Sequence, residues 1–350
     1  MKKWKVWIVV LSIAVMAALF TLSGLSDFEL DNATVSPFRF PSGQNVLAGS
    51  LIVPKGVMSP PIVLIVHGDG AQDRFSESGY LPLIDQFIDA GIGVFTWDKP
   101  GVGESSGDWL NQSMQDRADE AGAALNAVRA LPEMDRRKIG FLGFSQAGWV
   151  IPSAASQFHP AFSVMVGSAL NWREQGVYYT RQKLTRAGMA EAEIERQVSA
   201  ELTANDAVFG QPEIADPARR PDIEPRRFAF IARNYLADAT EDVNAMPGPV
   251  LALWGSDDLN VDPQQNAARY QQLLTVRLHQ QAVIVPDATH GLLRAPLFND
   301  QLTAEWPQWK KVAFMILGRK AYAPGAIRQM TEWITAEVSN DGSRGSHLPE

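Results

Sequence analysis

Short apolar runs alternate with helical segments along most of the chain, and this alternation constrains the fold more than any other feature. Ile62–Val66 is an uninterrupted apolar run rich in β-branched residues, which is typical of a strand buried on both faces of a parallel sheet. Similar runs follow at 92–97, 139–142, 162–166, 250–254 and 283–285. Strands that alternate with helices imply βαβ units, so we expect an α/β fold with a mostly parallel sheet and helices on both faces.

Two departures from the alternation divide the chain. Near the start, 35–40 and 46–53 flank the turn signal at 41–43, which predicts a hairpin. Between 171 and 247 strand-like runs are missing, and helical stretches occur at 191–202 and 226–236. The sequence therefore predicts a helical cap at 171–247, inserted into an α/β core of residues 27–170 and 248–338. A helix at 309–317 would close the fold, and the polar tail 339–350 is expected to be disordered.

The first 26 residues indicate a signal peptide or an N-terminal membrane anchor. Three lysines within Met1–Lys5 precede the uncharged run Val6–Leu22, whose 17 residues are short for a bilayer span and long for a signal core. Small residues at Thr21/Ser23 and Gly24/Ser26 are spaced like a cleavage site, and the lack of cysteine excludes a lipoprotein. We expect an exported protein, periplasmic or extracellular, with residues 6–22 available to hold it at the inner membrane.

Composition removes several functional classes. The 350-residue chain contains no cysteine, which excludes a disulfide framework, a thiolate zinc site and a cysteine nucleophile. The net charge of −8 argues against a nucleic-acid partner. Neither a phosphate-binding loop nor a metal-binding helix motif is present, so we expect no cofactor and no metal. Any mechanism that needs an imidazole has five candidates, namely His67, His159, His279, His290 and His347.

The segment Ile139–Gly148 carries a candidate nucleophile at a strand-to-helix turn. Ser145 stands between a predicted strand and a predicted helix, with the small residues Gly143 and Ala147 two positions before and after it. Small neighbours are required because strand and helix crowd at such a turn, which exposes the hydroxyl at a helix N-terminus. The alternative role for Ser145 is a helix cap.

A serine hydroxyl is a weak nucleophile and needs a general base, which in turn is oriented by an acid. Both are expected in loops that follow later strands. His290 comes just after the run 283–285 and is the only histidine at the end of a late strand. Three carboxylates follow the run 250–254, at Asp257, Asp258 and Asp262. The spacing G-x-x-D-x-x-V selects Asp258, with Asp257 as the alternative, while Asp262 is expected to cap the next helix.

Two backbone N–H groups are needed to stabilise an oxyanion. One is expected at Gln146, directly after the serine. The second is expected in the loop 67–70 after the first buried strand, at Asp69, with Gly70 as the alternative. The Asp69 carboxylate must then point away or pair, and Arg74 is a candidate partner. His67 is expected to brace this loop rather than to act as the base.

Together these motifs resemble those of α/β-hydrolases, in the branch of bacterial esterases and serine-aminopeptidase-like proteins. The matching segments are HGDG at 67–70, DKPGVGES at 98–105, GFSQAG at 143–148, GSDDLNV at 255–261 and DATHG at 287–291. The resemblance covers roughly residues 35–330 apart from the cap. The chain departs from the common pattern at Ala147, where glycine is usual, and at 70–74, where Gly-Ala-Gln-Asp-Arg replaces the more common G-P-x-D-R.

The sequence thus predicts a serine hydrolase with Ser145, His290 and Asp258 as its triad and a small-molecule ester or acyl substrate. Carboxylic esters are favoured over thioesters and amides. A serine aminopeptidase-like peptidase and an acyltransferase on the same triad are the alternatives, and a non-catalytic scaffold is a third, because a fold does not guarantee activity.

Overall fold

The computed structural model describes residues 2–275 and 279–344 of the chain. The strands are β1 (Ala33–Ser42), β2 (Asn45–Pro54), β3 (Ile62–Val66), β4 (Gly93–Trp97), β5 (Ile139–Phe144), β6 (Ser163–Val166), β7 (Val250–Gly255) and β8 (Gln280–Val285). They form one sheet in the order β1-β2-β4-β3-β5-β6-β7-β8. β1 and β2 form the expected hairpin, β2 pairs antiparallel with β4, and the other pairs are parallel. The α/β prediction is confirmed.

Strand order brings two loops together at one edge of the sheet. The chain runs from β3 outward to β4 and then returns past β3 to β5, so β3 lies between them. In an open α/β sheet, a reversal of this kind leaves a crevice at the carboxyl ends of the strands. Val66 pairs with Gly143, and the loops after β3 and β5 therefore begin side by side.

Helices cover both faces of the sheet. They are α1 (Lys2–Ser26), α2 (Leu81–Asp89), α3 (Met114–Arg129), α4 (Ile151–Phe158), α5 (Trp172–Arg186), α6 (Glu191–Phe209), α7 (Pro225–Asn234), α8 (Thr240–Asn244), α9 (Pro263–Leu273), α10 (Ala295–Phe298), α11 (Gln308–Leu317) and α12 (Ala326–Arg344). Buried side chains of α3, α4, α8 and α9 pack with one face. Those of α2 and α12 pack with the other.

The insertion between β6 and β7 contains α5 to α8. Its ends are joined by a bridge between Asn171 and Asp238, which we call the clasp, and Trp172 N–H donates to the Ala237 carbonyl beside it. Val243 of α8 belongs to the core. The cap, meaning α5 to α7, has a small apolar cluster of its own that includes Phe209, Phe228 and Tyr235.

Several helices differ from the sequence prediction. The expected helix at 146–157 consists of a 3₁₀ turn, Ser145–Trp149, followed by α4. Helices α5 and α12 were not predicted. Since α12 continues to Arg344, residues 339–344 of the expected disordered tail are helical, and the remainder lies outside the described residues.

Helix α1 is long and apolar enough to cross a membrane. Its segment Val6–Ser26 has 21 residues, and the most apolar 18 of them have a mean hydropathy of 2.5 and are only 6% buried. The helix touches the rest of the protein at its end, where Gly24 is buried. An N-terminal helix of this composition is compatible with a signal peptide or with an anchor.

Candidate active site

Ser145 occupies a strained turn directly after β5. Its φ of 54° lies in the left-handed region, which non-glycine residues rarely adopt and which is common where strain serves a site. A Cβ on Gly143 would collide with side-chain atoms of Ala147 and Ile151. This is the crowding from which the sequence predicted small residues at 143 and 147. The 3₁₀ turn that follows presents its first N–H groups without intrahelical partners.

Asp258 holds His290 at the carboxyl ends of β7 and β8. Its Oδ2 accepts a hydrogen bond from Nδ1 of His290 at 2.7 Å. Its Oδ1 accepts from the amides of Asn260 and Val261 at 2.7 and 2.9 Å. The carboxylate is buried, with Asp258 only 1% exposed. The alternative, Asp257, instead accepts a bond from Ser256 Oγ at 2.6 Å.

The imidazole of His290 also lies against the end of β6. A Cβ on Gly167 would stand 2.8 Å from both Cε1 and Nδ1 of the ring, and Gly167 has a φ of +61°. Glycine is therefore required there on two grounds, space and backbone conformation. Within the described part of the chain, Oγ of Ser145 makes no hydrogen bond to His290.

The loop 67–70 passes beside the serine. A Cβ on Gly68 would stand 3.4 Å from Cβ of Ser145. His67 is buried, and its Nε2 contacts the Trp97 carbonyl at 2.5 Å. Burial lowers the pKa of His67 to about 3, so its ring is neutral at ordinary pH. A neutral, buried ring bonded to the backbone fits the bracing role expected for this residue.

The Asp69 carboxylate is paired, but with a residue of the cap. The two terminal guanidinium nitrogens of Arg227 donate to the Asp69 carboxylate, at 2.9 and 2.6 Å. Nε2 of Gln146 also donates to this carboxylate, at 3.1 Å. Burial opposes ionisation, but the bonds and charge of Arg227 hold the pKa of Asp69 below its usual range. The expected pairing with Arg74 is wrong, because Arg74 binds Asp98 through two nitrogens.

Two basic residues that the sequence analysis did not single out lie beneath this loop. Arg117 donates to the Gln146 side-chain oxygen and to the His67 carbonyl, both at 2.5 Å. Lys99 donates to the Gly68 carbonyl at 3.0 Å. Both are buried, with Lys99 1% exposed. Lys99 stands in the DKPG segment that the resemblance covers, but local sequence does not reveal which side chain of that segment turns inward.

A cavity of about 530 Å³ lies between the core and the cap. Ser145, Gln146 and Asp69 line its core side. Trp149 and Trp172 stack in its wall with ring centroids 5.0 Å apart. Its arginines are already engaged: Arg173 binds Asp206, Arg220 binds Asp222, and Arg227 binds Asp69. The cavity is thus polar in places without offering an unpaired positive charge from these three residues.

The sequence and the fold were compared with known proteins. The model of the alpha/beta hydrolase family matches residues 63–306, and no curated protein matches the chain. An esterase from Pyrococcus furiosus superposes with a TM-score of 0.52 at 17% identity, over 84% of this chain and 92% of that one.

Two further solved structures have similar scores. Est1E from Butyrivibrio proteoclasticus, with ferulic acid bound, has a TM-score of 0.54 at 15% identity, over 87% of this chain and 98% of that one. A proline iminopeptidase from Mycobacterium smegmatis has a TM-score of 0.54 at 14% identity, over 87% and 100% of the two chains. Likeness at such identities shows the fold alone.

Proposed function

Because the chain belongs to the alpha/beta hydrolase family, we propose that it is a serine hydrolase that cleaves carboxylic esters. The observation that carries the proposal is the 2.7 Å bond from His290 Nδ1 to the buried Asp258 carboxylate. It holds an imidazole whose Nε2 accepts and donates no hydrogen bond among the described residues, on the sheet edge where Ser145 lies. An oriented base on the same sheet edge as a strained, half-buried serine is the arrangement that can activate a hydroxyl nucleophile.

The proposed reaction has two halves. Ser145 Oγ attacks the ester carbonyl while His290 Nε2 takes its proton, and the tetrahedral intermediate collapses when His290 returns that proton to the leaving alcohol. Water then attacks the acyl-enzyme with His290 again as base, which releases the acid and restores Ser145. Asp258 keeps the imidazole in the correct tautomer and stabilises the imidazolium.

The oxyanion is assigned to the backbone N–H groups of Gln146 and Asp69. Gln146 supports this role as the first amide after the serine, in a 3₁₀ turn. Asp69 lines the same cavity. The alternative, Gly70, is disfavoured because its amide interacts with the Asp69 carboxylate and helps to lower the pKa of that group.

The cavity favours a neutral, medium-sized ester. Its volume of about 530 Å³ is in the usual range for small-molecule sites. The stacked tryptophans offer a flat apolar wall to an acyl or aryl group. An acidic substrate would have to displace a carboxylate from one of the paired arginines, which makes it a poorer candidate.

Labelling with a fluorophosphonate tests the nucleophile. We expect wild-type protein and a Ser153→Ala control to be labelled, and Ser145→Ala to be unlabelled while its thermal unfolding is unchanged. Turnover of short-chain nitrophenyl esters should fall by at least about 10⁴-fold in Ser145→Ala. Folded wild-type protein without Ser145-dependent label or turnover would falsify the proposal. Faster product formation with an added alcohol, yielding a new ester, would instead identify an acyltransferase.

One observation favours a peptidase as the second candidate. Glu201 lines the cavity, and its charge acts on Arg220 without a direct ion pair among the described residues, so it could receive the amino end of a peptide. Aminoacyl nitroanilides compared with nitrophenyl esters test this candidate. It requires that Glu201→Gln raise KM for the anilide and leave the ester unaffected.

We further propose that α1 is retained as an anchor and that the globular part is exported. A Cβ on Gly24 would overlap the backbone carbonyl of Ile316 in α11, and a Cβ on Gly318 would stand 2.5 Å from the Gly24 carbonyl oxygen. The small residue that resembles a cleavage site in the sequence therefore has a packing role. A removable signal peptide needs no such fit to the mature domain.

The next residues strengthen this junction. Asp27 is buried and accepts bonds from the backbone amide and Nε of Arg319, both at 2.7 Å. Arg319 also binds Asp85 and Asp89 of α2. The end of α1 is thus tied to two other parts of the core.

The intact mass of protein extracted from membranes tests retention. We expect a mass that includes residues 1–26, and a mass lacking about the first 24–26 residues would contradict an anchor. Gly24→Leu should lower the unfolding temperature by several degrees, as expected for overpacking. Ala18→Leu, an exposed change in the same helix, should leave it unchanged. Protection of the globular part from external protease in intact spheroplasts would argue against export.

A further inference from the structure

Three successive carbonyl groups of the loop 67–70 are each held by a side chain. The His67 carbonyl accepts from Arg117 at 2.5 Å, the Gly68 carbonyl from Lys99 at 3.0 Å, and the Asp69 carbonyl from Gln72 at 2.7 Å. The donors come from α3, the loop after β4 and the loop after β3. Three side chains from different segments thus fix the orientation of one short loop.

Holding a carbonyl also orients the next amide. The peptide unit is planar, and among the described residues none is cis. In a trans peptide the N–H of one residue points opposite to the C=O of the residue before it. The bond from buried Lys99 to the Gly68 carbonyl therefore turns the Asp69 N–H away from the interior, on the loop that borders Ser145.

The position of Lys99 is costly and is not explained by an ion pair. Its ammonium lies 4.6 Å from the centroid of the Trp109 ring, and no carboxylate accepts a hydrogen bond from it within the described part of the chain. Burial, followed by the charge of Arg117, lowers the pKa of Lys99 well below its usual value. Buried, unpaired cationic groups are rare and concentrate at functional sites.

Arg117 connects the Gln146 side chain to the loop 67–70. One of its nitrogens binds the Gln146 side chain, and another binds the His67 carbonyl. Gln146 Nε2 in turn reaches the Asp69 carboxylate at 3.1 Å. Gln146 and the loop 67–70 are thus joined twice, through Arg117 and through the Asp69 carboxylate.

We propose that Lys99 is a positioning residue that fixes the Gly68–Asp69 peptide so that the Asp69 N–H is preset for the oxyanion. Lys99 does not touch the substrate and acts through the backbone. The proposal rests on the proposed function, since it assigns Asp69 as the second donor. It also distinguishes Asp69 from Gly70 as the second oxyanion donor. Lys99 binds the carbonyl that precedes the Asp69 amide, and Gln72 binds the carbonyl that precedes the Gly70 amide.

Two matched substitutions test it. Lys99→Met removes the donor to the Gly68 carbonyl and keeps an apolar side chain of similar length. Gln72→Met removes the donor to the Asp69 carbonyl. We expect Lys99→Met to lower kcat by about 10–10²-fold, less than the 10²–10³-fold typical for loss of a whole donor, with KM nearly unchanged. Gln72→Met should lower kcat by less than about threefold, since it releases an amide outside the proposed pair.

A transition-state analogue distinguishes positioning from general damage. A trifluoromethyl ketone forms an oxyanion adduct with the serine, whereas the matching methyl ketone binds as a ground-state ligand. Affinity of Lys99→Met for the first should fall by the same factor as kcat, and affinity for the second should be unchanged. Thermal unfolding should be preserved, because replacing a buried charge by an apolar group is often neutral.

Each result decides the proposal. Unchanged kcat in Lys99→Met, or equal loss of affinity for both ketones, overturns it. A large loss in Gln72→Met also overturns it, even if Lys99→Met fails to fold, because Gly70 would then be the donor. Wild-type protein without Ser145-dependent turnover is a different failure, which removes the hydrolase itself.

Discussion

The two sides of the cavity hold their polar groups in different ways. On the core side, Asp258, Lys99 and Arg117 are buried, and each of them makes a hydrogen bond to a backbone group. On the cap side, pairs such as Arg173–Asp206 and Arg181–Glu195 remain partly exposed. An exposed ion pair contributes about 0–1 kcal/mol to the free energy of unfolding. A buried polar group that loses its partner lowers this free energy by more, because it stays unsatisfied. The polar groups of the core are therefore held in fixed positions, whereas those of the cap can change position at a small cost in free energy.

Several contacts join the cap to the core, and one of them reaches the loop 67–70. Arg227 of the cap binds Asp69 of the loop that carries the proposed oxyanion donor. The same guanidinium lies over the Phe230 ring at 5.0 Å. If the comparison holds, substitutions on the core side should act on kcat by large factors, and substitutions in the cap should act weakly and mainly on KM.

The largest effect is expected at the acid. Asp258→Asn keeps the shape of the side chain but favours the wrong tautomer of His290, so ester turnover should fall by about 10⁴-fold. Asp257→Asn, the adjacent carboxylate that bonds Ser256 instead, should be close to wild type. Steady-state kinetics on a nitrophenyl ester measures both, and a loss confined to Asp257→Asn would reverse the assignment.

A pair of glycines gives the next prediction and compares core with cap directly. Gly167→Ala would push a methyl group into the His290 ring, whereas Gly188 in the cap has a similar positive φ of +77° and no atom within 4 Å of a Cβ. Both variants carry backbone strain of about 1 kcal/mol. Gly167→Ala should also lose about 10²-fold in kcat, as expected for a shift of about 1 Å. Equal kcat values in the two variants would refute the special role of the contact.

A smaller effect is expected where cap meets core. Arg227→Met breaks a partly exposed pair, so we expect KM to rise by up to about fivefold and kcat to change little. Arg219→Met serves as control, because Arg219 binds the Ala207 carbonyl within the cap. A loss in kcat beyond tenfold would mean that Arg227 takes part in the chemistry.

The smallest effect concerns stability alone, at Asp85 of α2, which binds Arg319 beside the end of α1. Burial raises the pKa of Asp85 to about 6, from 3.8, even though Arg319 favours its ionised form. The folded protein thus binds this proton more tightly than the unfolded chain does. Wild-type stability relative to Asp85→Asn should therefore fall as pH rises from about 4 to 6 and stay level above.

Thermal unfolding at pH 4.5 and pH 7.5 checks this prediction. Asp85→Asn should gain a few degrees over wild type at the higher pH and less at the lower. The exposed change Asp119→Asn controls for the loss of one negative charge. Unchanged ester turnover should accompany both variants, and a larger gain at pH 4.5 would contradict the sign.

Local patterns were sufficient for the sheet but not for the contacts between distant segments. Strands such as Ile62–Val66 were predictable because a doubly buried strand is apolar throughout. Asp258, the proposed acid, was selected by its spacing in 255–261, and its carboxylate binds His290. Arg227 was not, because it meets Asp69 from 158 residues away, and a surface arginine in a helix has no local mark of such a partner.

Helix α12 shows a different kind of miss. Its buried residues Ile327, Met330, Ile334 and Val338 recur every three or four positions, so an amphipathic signal was present in the sequence. The polar residues between them and the polar end of the chain obscured it. The Lys99 bond to Gly68 was beyond sequence reasoning altogether, since buried lysines are rare and nothing local indicates one.

The clasp between Asn171 and Asp238 has a consequence for how this protein could diversify. The cap leaves and rejoins the sheet at one bridge, so its ends are already adjacent and closing a different segment across them costs little entropy. Residues 172–237 can thus be exchanged as a cassette, because Ser145, His290 and Asp258, the proposed triad, all lie outside them. Exchange of this cassette between relatives would change the cap side of the cavity, and with it the choice of substrate, while the residues proposed for catalysis stay the same.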